Sequence, residues 1–195
     1  MRKVKTETEK TVQLLLHTGI KHFATYGYNK ASLERMVTES GLTRGALYHH
    51  FKNKKGLFLA CIKLIQMRIA NKIEQEASTS SDPWEQLWLG CRAFVASTIE
   101  PEHKQIILID GPAVIGWNEW RELDANYSMK LLYSQLEMMQ KNGCFPSISL
   151  EALTHSLSGA MNESALWIAE QGSYELIDES MYVLKAYFDG LKRIK

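Results

Sequence analysis

The sequence contains few cysteines and prolines, no long uncharged stretch and no large excess of charge of either sign. Its three cysteines, Cys61, Cys91 and Cys144, are an odd number at wide spacing, which argues against a disulfide framework and against a zinc site. We therefore expect reduced, mostly buried thiols. No stretch of 18 residues lacks charged side chains, so we expect no membrane-spanning helix. Residues 1–10 are largely charged, so we expect no secretory signal and a cytoplasmic protein.

The composition is that of a globular protein with a substantial core. Of the 195 residues, 45% are hydrophobic and 23% are charged, which excludes a disordered chain and a collagen-like repeat. The charge is unevenly distributed: residues 1–60 contain 11 Lys and Arg against four Asp and Glu, a net charge of +7. The remaining residues have 12 basic and 18 acidic side chains, a net charge of −6. The positive N-terminal segment is suited to bind a polyanion.

Apolar residues recur at intervals of three and four along most of the chain, a spacing typical of amphipathic helices. We therefore predict an all-α fold of about nine helices. The predicted helices span about residues 7–26, 32–39, 44–51, 53–77, 83–99, 102–110, 116–141, 149–171 and 174–193. We predict two domains, residues 1–52 and residues 53–195, with the helix at 53–77 connecting them.

Residues 32–51 have the pattern of a helix-turn-helix motif, in which two short helices are joined by a tight turn that contains Gly41. In such a motif the second helix enters the major groove of duplex DNA, and the first helix braces it. Arg44 at the start of the second helix can contact guanine, and Gly45 allows a close approach to the bases. Tyr48 can contact a thymine methyl group or a phosphate. The predicted DNA contacts are Ser32, Thr43, Arg44, Gly45, Tyr48, His49 and Lys54.

Several short motifs in this region are distinctive: Gly27-Tyr28, Ser32-Leu33, the sequence SGLTRGALYHHF at residues 40–51, and the sequence NKKGL at residues 53–57. Over about residues 8–60 they closely resemble the DNA-binding domain of the TetR/AcrR family of bacterial transcriptional regulators. The resemblance implies a three-helix DNA-binding head, a helical body that binds a ligand and dimerises, and repression that a small molecule relieves. Ala31 departs from the family pattern, which often has Thr at this position.

The predicted second domain is rich in aromatic and methionine residues, which can line an apolar ligand pocket. We predict that a small, largely apolar or aromatic ligand binds there. Because such residues at helical spacing also form ordinary helix cores, the prediction applies to the set rather than to any single member. The candidate ligand-binding residues are Trp88, Asp110, Trp117, Trp120, Tyr127, Tyr133, Met161 and Asn162.

The last two predicted helices carry apolar residues together with small residues that permit close helix packing. We predict that these helices form the interface of a homodimer, although the same residues would also suit packing within one subunit. A homodimer places two recognition helices about 34 Å apart, as binding to a palindromic site requires. The candidate interface residues are Leu153, Leu157, Ala160, Ser164, Ile168, Leu184, Tyr187, Phe188 and Leu191.

Sequence signals for catalysis and for metal binding are missing. The six histidines lack metal-ligand spacing, and no zinc-protease, nucleophile-elbow or phosphate-loop motif occurs. We therefore expect no enzyme activity, no catalytic residues, no metal and no cofactor. The expected partners are double-stranded DNA, a second copy of the chain and a small-molecule effector. The main alternative is a DNA-binding dimer that a protein partner controls, or one without a small-molecule inducer.

Overall fold

The computed structural model describes residues 2–193, and the side chains of residues 8–193. Every regular element in this range is helical, which confirms the predicted all-α class. In chain order the elements are α1 (Arg2–Lys30), α2 (Leu33–Ser40), α3 (Arg44–Phe51), α4 (Lys54–Ala77), α5 (Pro83–Thr98), α6 (Pro101–Lys104), a π-helical segment (Gln105–Asp110), α7 (Gly111–Ile115), α8 (Trp117–Asn126), α9 (Ser128–Lys141), α10 (Leu150–Gln171) and α11 (Leu176–Arg193). No helix in the described range is long and apolar enough to span a bilayer.

The chain forms two compact units. Unit 1 contains the residues up to Ile65 together with Pro101–Trp120, and unit 2 contains Gln66–Glu100 and the residues from Arg121 onward. Helices α4 and α8 each contribute residues to both units. Residues 53–65 and 101–120 are therefore grouped with the N-terminal helices, although we assigned them to the second domain. The grouping into compact units does not show which residues bind DNA and which bind a ligand. The predicted boundary between a DNA-binding domain and a ligand-binding domain, at residues 52 and 53, therefore stays a prediction.

The core of unit 1 includes apolar side chains from α1 to α4. Phe23, Met36, Leu47 and Phe58 are fully buried, and the rings of Phe23 and Phe58 meet edge to face with centroids 4.9 Å apart. Each such side chain contributes roughly 1.5–3 kcal/mol of hydrophobic stabilisation. Because α3 has only eight residues, packing on this core rather than helix propensity holds it in place.

Local caps define the two short helices of unit 1. Ser32 is the N-cap of α2, and Thr43 is the N-cap of α3. Each side chain accepts a hydrogen bond from the backbone N–H three residues later, at 3.4 Å for Ser32 and 3.1 Å for Thr43. Gly41 ends α2 in the left-handed conformation, with φ 65° and ψ 18°. Ala31 is buried, and the capping of α2 comes from Ser32. The turn of the motif is therefore determined by local hydrogen bonds.

Two predicted helices differ from the structure. The helix predicted at 102–110 is the short α6 followed by a π-helical segment, because Pro112 lacks an N–H and its ring crowds the preceding turn. The helix predicted at 116–141 is divided into α8 and α9 at Tyr127, whose backbone is not helical (φ −121°, ψ −97°). The described residues therefore form more helical segments than the nine predicted.

Unit 2 is built mainly from α5, α9, α10 and α11, which pack against one another. Leu136 of α9, and Ala165 and Ile168 of α10, are almost completely buried. Asp82 caps α5 by accepting a backbone hydrogen bond at 2.8 Å, and Pro83 occupies the first helical position, where a missing N–H has no cost. These contacts establish the helical framework that surrounds an internal cavity, described below.

Candidate nucleic-acid interface

Helix α3 presents a polar face that points away from its buried residue Leu47. Arg44 and Tyr48 lie one turn apart on this face, and both side chains are exposed. Gly45 lies beside them, and a Cβ added there would be 3.8 Å from the nearest side-chain atom. His49 extends the exposed face toward the end of the helix. This surface is accessible along both turns of α3, as entry into a groove about 12 Å wide requires.

The guanidinium group of Arg44 is paired with α2. Its Nη1 lies 3.2 Å from Oε1 of Glu34, and the two side chains are 63% and 71% exposed. An ion pair that is this exposed contributes only about 0.2–1 kcal/mol, since water and salt screen it. Arg44 is therefore held at the start of α3 by a contact that another hydrogen-bond acceptor can replace.

A second polar contact connects α2 with α1. Glu39 binds Nε2 of His22 at 2.7 Å through Oε2, and it binds Nζ of Lys21 through Oε1. The hydrogen bonds from Lys21 and His22 lower the pKa of Glu39. His22 is buried while Glu39 is half exposed, so the contact joins the core of unit 1 to the outer side of α2. This contact holds α2 against the longer helix α1.

The turn between α3 and α4 is tightly packed. Lys52 adopts a positive φ of 64°, and Asn53 accepts a hydrogen bond from the N–H of Gly56 at 2.8 Å. A Cβ at residue 56 would collide with the carbonyl oxygen of Phe51, so only glycine fits there. The turn leaves Lys52 and Lys55 exposed beside α3. These two lysines are candidate phosphate contacts that the predicted set omitted, and their signal in the sequence is the cluster of lysines at 52–55.

Lys54, a predicted phosphate contact, is engaged within unit 1. Its Nζ donates a hydrogen bond to the carbonyl oxygen of Asn29 at 3.2 Å and lies 4.7 Å from the centroid of the Tyr28 ring. Partial burial lowers the pKa of Lys54, and the Asp110 carboxylate opposes this shift. Lys54 therefore has a structural role at the end of α1, and its contact with DNA stays a prediction.

Asp110, a predicted ligand contact, also stabilises unit 1. Its Oδ2 accepts a hydrogen bond from the backbone N–H of Tyr28 at 2.7 Å. This N–H is available because Gly27 interrupts α1 with φ 70° and ψ 164°, outside the helical range. Asp110 thus ties the kink of α1 to the π-helical segment, instead of facing a ligand cavity.

Two tryptophans predicted to bind ligand belong to unit 1 as well. The rings of Trp117 and Trp120 stack with centroids 5.2 Å apart, and Nε1 of Trp120 donates a hydrogen bond to the carbonyl oxygen of Ile107 at 2.9 Å. A Cβ on Gly111 would lie only 3.0 Å from the Trp120 ring, so the backbone and the indole approach closely. These contacts stabilise the π-helical segment. Both tryptophans and Asp110 are therefore grouped in unit 1, whereas the other predicted ligand contacts are grouped in unit 2.

A cavity of about 260 Å³ lies within unit 2. Of the five remaining predicted ligand contacts, Met161 lines this cavity. Trp88 lines a separate surface groove, and Tyr133 is 41% exposed. Asn162 donates its side-chain amide to the backbone of Ser158, and Tyr127 forms the break before α9. Of the eight predicted residues, Met161 is the one that lines this cavity, and the binding of a ligand by the others stays a prediction.

Residues that the prediction omitted make up most of the cavity wall. Its apolar side chains include Ile73, Leu87, Phe94, Leu132 and Met138. Its polar and charged side chains are Glu74, Gln86, Asp124, Ser128, Ser134, Gln135 and Ser158. The signal in the sequence is weak, since it consists of single polar residues among apolar ones on five different helices.

Helices α10 and α11 carry the predicted dimer interface. Leu157, Ile168, Leu184 and Phe188 are buried inside unit 2, so they belong to its core, and Leu184 also lines a groove at its surface. Their part in an interface with a second chain stays a prediction. Periodicity alone could not separate the two roles, because both produce an apolar stripe.

An exposed apolar face nevertheless runs along the same two helices. Tyr187 is 55% exposed, and Trp167 and Val183, which the prediction omitted, are 40% and 53% exposed. These three side chains line a groove together with Ala160 and Ser164. The other two predicted interface residues, Leu153 and Leu191, are partly exposed. The predicted helices thus carry a surface suited to a partner, formed in part by other residues.

The cysteines are free thiols. Cys61 and Cys91 are buried, and Cys144 is partly exposed. Burial raises the pKa of Cys91 to about 12, so this thiol is protonated at neutral pH. Among the residues described, no group of three or more His, Cys, Asp or Glu side chains is arranged to hold a metal ion.

Two family models match the sequence. The model described as "Bacterial regulatory proteins, tetR family" matches residues 15–61, which include α2, α3 and the turn between them. The model described as "Tetracyclin repressor-like, C-terminal domain" matches residues 84–191, more than half of the chain. Together the matched ranges cover most of both compact units.

Individual relatives agree with the family models. The HTH-type transcriptional regulator AcrR of Shigella flexneri is 31% identical over 108 residues, which are 55% of this chain and 50% of AcrR. The transposon Tn10 TetC protein of Escherichia coli is 29% identical over 117 residues, which are 60% and 59% of the two chains. The chain thus spans about half the length of the curated relatives it matches. A TetR-family transcriptional regulator from Pectobacterium atrosepticum is 30% identical, with a TM-score of 0.78 and coverage of 95% of this chain and 96% of that chain.

Proposed function

Because the chain belongs to the TetR family of bacterial regulatory proteins and is a transcriptional regulator, we propose that it is a repressor that binds a palindromic operator as a homodimer. A small, largely apolar ligand releases it from the operator. The observation that carries the proposal is the exposed polar face of α3, which caps and a buried core hold in a fixed orientation.

In the complex, α3 lies in the major groove and its first residues meet the base edges. Arg44 leaves Glu34 and donates two hydrogen bonds to O6 and N7 of a guanine, a contact that discriminates against other bases by roughly 1–3 kcal/mol. Gly45 has no side chain, so the backbone of α3 can approach the bases closely there. Tyr48, one turn further along, packs on a thymine methyl group or binds a phosphate.

Phosphate contacts surround this base-reading face and set its register on the duplex. The hydroxyl groups of Ser32 and Thr43 lie at the N-terminal ends of α2 and α3, where free backbone N–H groups also attract phosphate. The net charge of +7 on residues 1–60 supplies the sequence-independent part of the affinity. The proposed phosphate contacts are Ser32, Thr43, His49, Lys52, Lys54 and Lys55.

The homodimer forms through the exposed face of α10 and α11. Trp167, Val183 and Tyr187 provide apolar surface there, and Ala160 and Ser164 are small enough to admit a helix of the second copy. A two-fold axis makes this face contact itself and places two α3 helices on one side of the duplex. Two half-sites about 34 Å apart then bind one dimer.

The effector binds in the cavity of unit 2. Helix α4 contributes Ile73 to the cavity wall, and the same helix begins at Lys54, directly after the turn that follows α3. A ligand that prefers one arrangement of α4 can therefore alter the position of α3. The ligand releases the operator only if its affinity differs between the free protein and the DNA-bound protein.

The test is selection of bound duplexes from a random pool with the full chain, at about 0.1 M salt. We expect an enriched palindrome whose half-sites are centred about one helical turn apart. Arg44→Ala should lose the preference at one base position of each half-site. Arg68→Ala changes an exposed arginine of α4 and serves as the matched control, because it should retain the wild-type motif.

Failure to enrich any duplex would overturn the proposal, and so would an Arg44→Ala motif identical to the wild-type one. A protein that binds its operator equally well in the presence of every small molecule tested supports the alternative. In that alternative, a protein partner controls the regulator or no small-molecule inducer exists.

A further inference from the structure

The polar end of the cavity in unit 2 contains a buried carboxylate that is already paired. Asp124 is only 2% exposed, and its Oδ2 lies 3.1 Å from Nη1 of Arg121 and 3.4 Å from Oγ of Ser158. Burial raises the pKa of Asp124, and the Arg121 guanidinium and the Ser158 hydroxyl oppose the shift. Asp124 lines the cavity, whereas Arg121 does not. The pair therefore presents carboxylate oxygen but no net charge to the cavity.

A hydroxyl group without a partner lies in the same wall. Ser128 is 6% exposed and lines the cavity, and its Oγ has no hydrogen-bond partner among the described residues. Buried polar side chains are normally hydrogen-bonded, so an unpaired hydroxyl on a residue that lines a cavity indicates a site where a ligand supplies the missing partner. Ser128 can both donate and accept a hydrogen bond.

The other residues that line the cavity disfavour a charged ligand. Leu87, Phe94 and Met161 are among the apolar side chains that favour a hydrocarbon or aromatic body. The charged residues that line the cavity, Glu74 and Asp124, are both acidic, and no Lys, Arg or His lines it within the described chain. An anion is disfavoured by these carboxylates. A cation beside Asp124 would bury positive charge next to the Arg121 pair, which burial penalises.

We propose that this cavity binds an uncharged, mainly apolar alcohol, whose single hydroxyl group donates a hydrogen bond to Asp124 and accepts one from Ser128. The inference rests on the proposed function in that the alcohol is the effector that releases the operator. Binding to the free protein does not depend on DNA, so the two can be tested separately.

The test measures binding of octanol and decanol to the full chain at pH 7 by isothermal titration calorimetry, each beside the carboxylate and the amine of equal chain length. At least one alcohol should bind tenfold or more tightly than its matched acid and amine. Ser128→Ala should weaken that alcohol roughly three- to tenfold, as loss of one hydrogen bond predicts. Ser134→Ala is the matched control, because Ser134 lies on the same helix and lines the same cavity but is exposed.

Thermal denaturation of the ligand-free variants adds a readout that separates binding from folding. Ser128→Ala should keep or raise the Tm, since it removes an unpaired buried hydroxyl without removing a contact. The proposal is overturned if neither alcohol binds, if an acid or amine binds as tightly as its alcohol, or if Ser134→Ala weakens binding as much as Ser128→Ala.

Fluorescence anisotropy with the selected operator distinguishes this proposal from the preceding one. Alcohol binding that depends on Ser128, in a chain that binds no duplex, refutes the repressor function and supports the cavity assignment. If the chain binds the operator but neither alcohol, the result supports the repressor function and overturns only the cavity assignment.

Discussion

Replacing Glu34 with glutamine tests whether the ion pair between Glu34 and Arg44 competes with the contact between Arg44 and DNA. In the free protein the Glu34 carboxylate holds the Arg44 guanidinium at 3.2 Å, on an exposed surface. Binding to DNA exchanges this carboxylate for a base edge. Glu34→Gln keeps the size of the side chain but removes its charge. We therefore expect the variant to bind the operator more tightly than the wild-type protein.

The size of the gain follows from the geometry of the pair. Both side chains are more than half exposed, and an ion pair of this kind contributes about 0.2–1 kcal/mol. Releasing Arg44 from it should raise the operator affinity about 1.4- to 5-fold. The gain should diminish between about 0.1 and 0.3 M salt, because salt screens an exposed pair. It should nearly disappear in an Arg44→Ala background, where the pair no longer exists.

The assay is fluorescence anisotropy with a labelled operator at the two salt concentrations. Glu102→Gln, at an exposed position of α6, is the control for removal of one negative charge from unit 1. Weaker binding by Glu34→Gln would refute the reasoning, because Glu34 would then contribute directly to the complex. An equal gain in Glu102→Gln, or an undiminished gain in the Arg44→Ala background, would refute it as well.

Further predictions concern the structure around this helix. Lys55→Ala should weaken binding to all duplexes alike and reduce the slope of log K against log salt by about one, and Lys54→Ala should do the same but also lower the Tm, because Lys54 is bonded within unit 1 as well. Asp110→Ala should lower the free energy of unfolding by about 1–2 kcal/mol in urea denaturation, since it leaves the N–H of Tyr28 without its acceptor. The folded-state pKa of Glu39 is lowered, so its stabilising effect is present above the ordinary value of 4.5 and is lost as the pH falls through the folded value. Thermal denaturation between about pH 3 and 6 should therefore be less pH-dependent in Glu39→Gln, and an unchanged pH profile would contradict the assignment.

The sequence predicted well those parts of the fold that depend on local signals. The hydrogen bonds of Thr43 and Gly41 join groups only three or four residues apart in the sequence. The motif and its boundaries could therefore be predicted from the local sequence. The break at Tyr127 has no glycine or proline, so no local signal in the sequence marks it. Periodicity predicts the existence of a helix more reliably than its interruption.

The candidate sites divide in the same way. The exposed face of α3 follows from one helix and its cap, so the motif predicted its exposed residues. It missed the intramolecular contacts of Arg44 and Lys54, and it omitted the exposed Lys52 and Lys55. The cavity is formed by five helices, and which side chains face it depends on how those helices pack. Trp120 and Asp124 lie one turn apart on α8, yet the first anchors the π-helical segment and the second lines the cavity. From residue type alone, Trp120 is predicted to contact a ligand and Asp124 is not.

The glycine in the turn between α3 and α4 bears on how operator contacts are mapped by genetics. Residue 56 has no side chain to offer DNA, yet any substitution forces the carbonyl group of Phe51, the last residue of α3, to move. Screens for derepressed mutants should therefore recover alleles at Gly56 as readily as at Arg44. Only a measurement of folding, made beside the measurement of DNA binding, would reveal that the two classes of allele fail for different reasons.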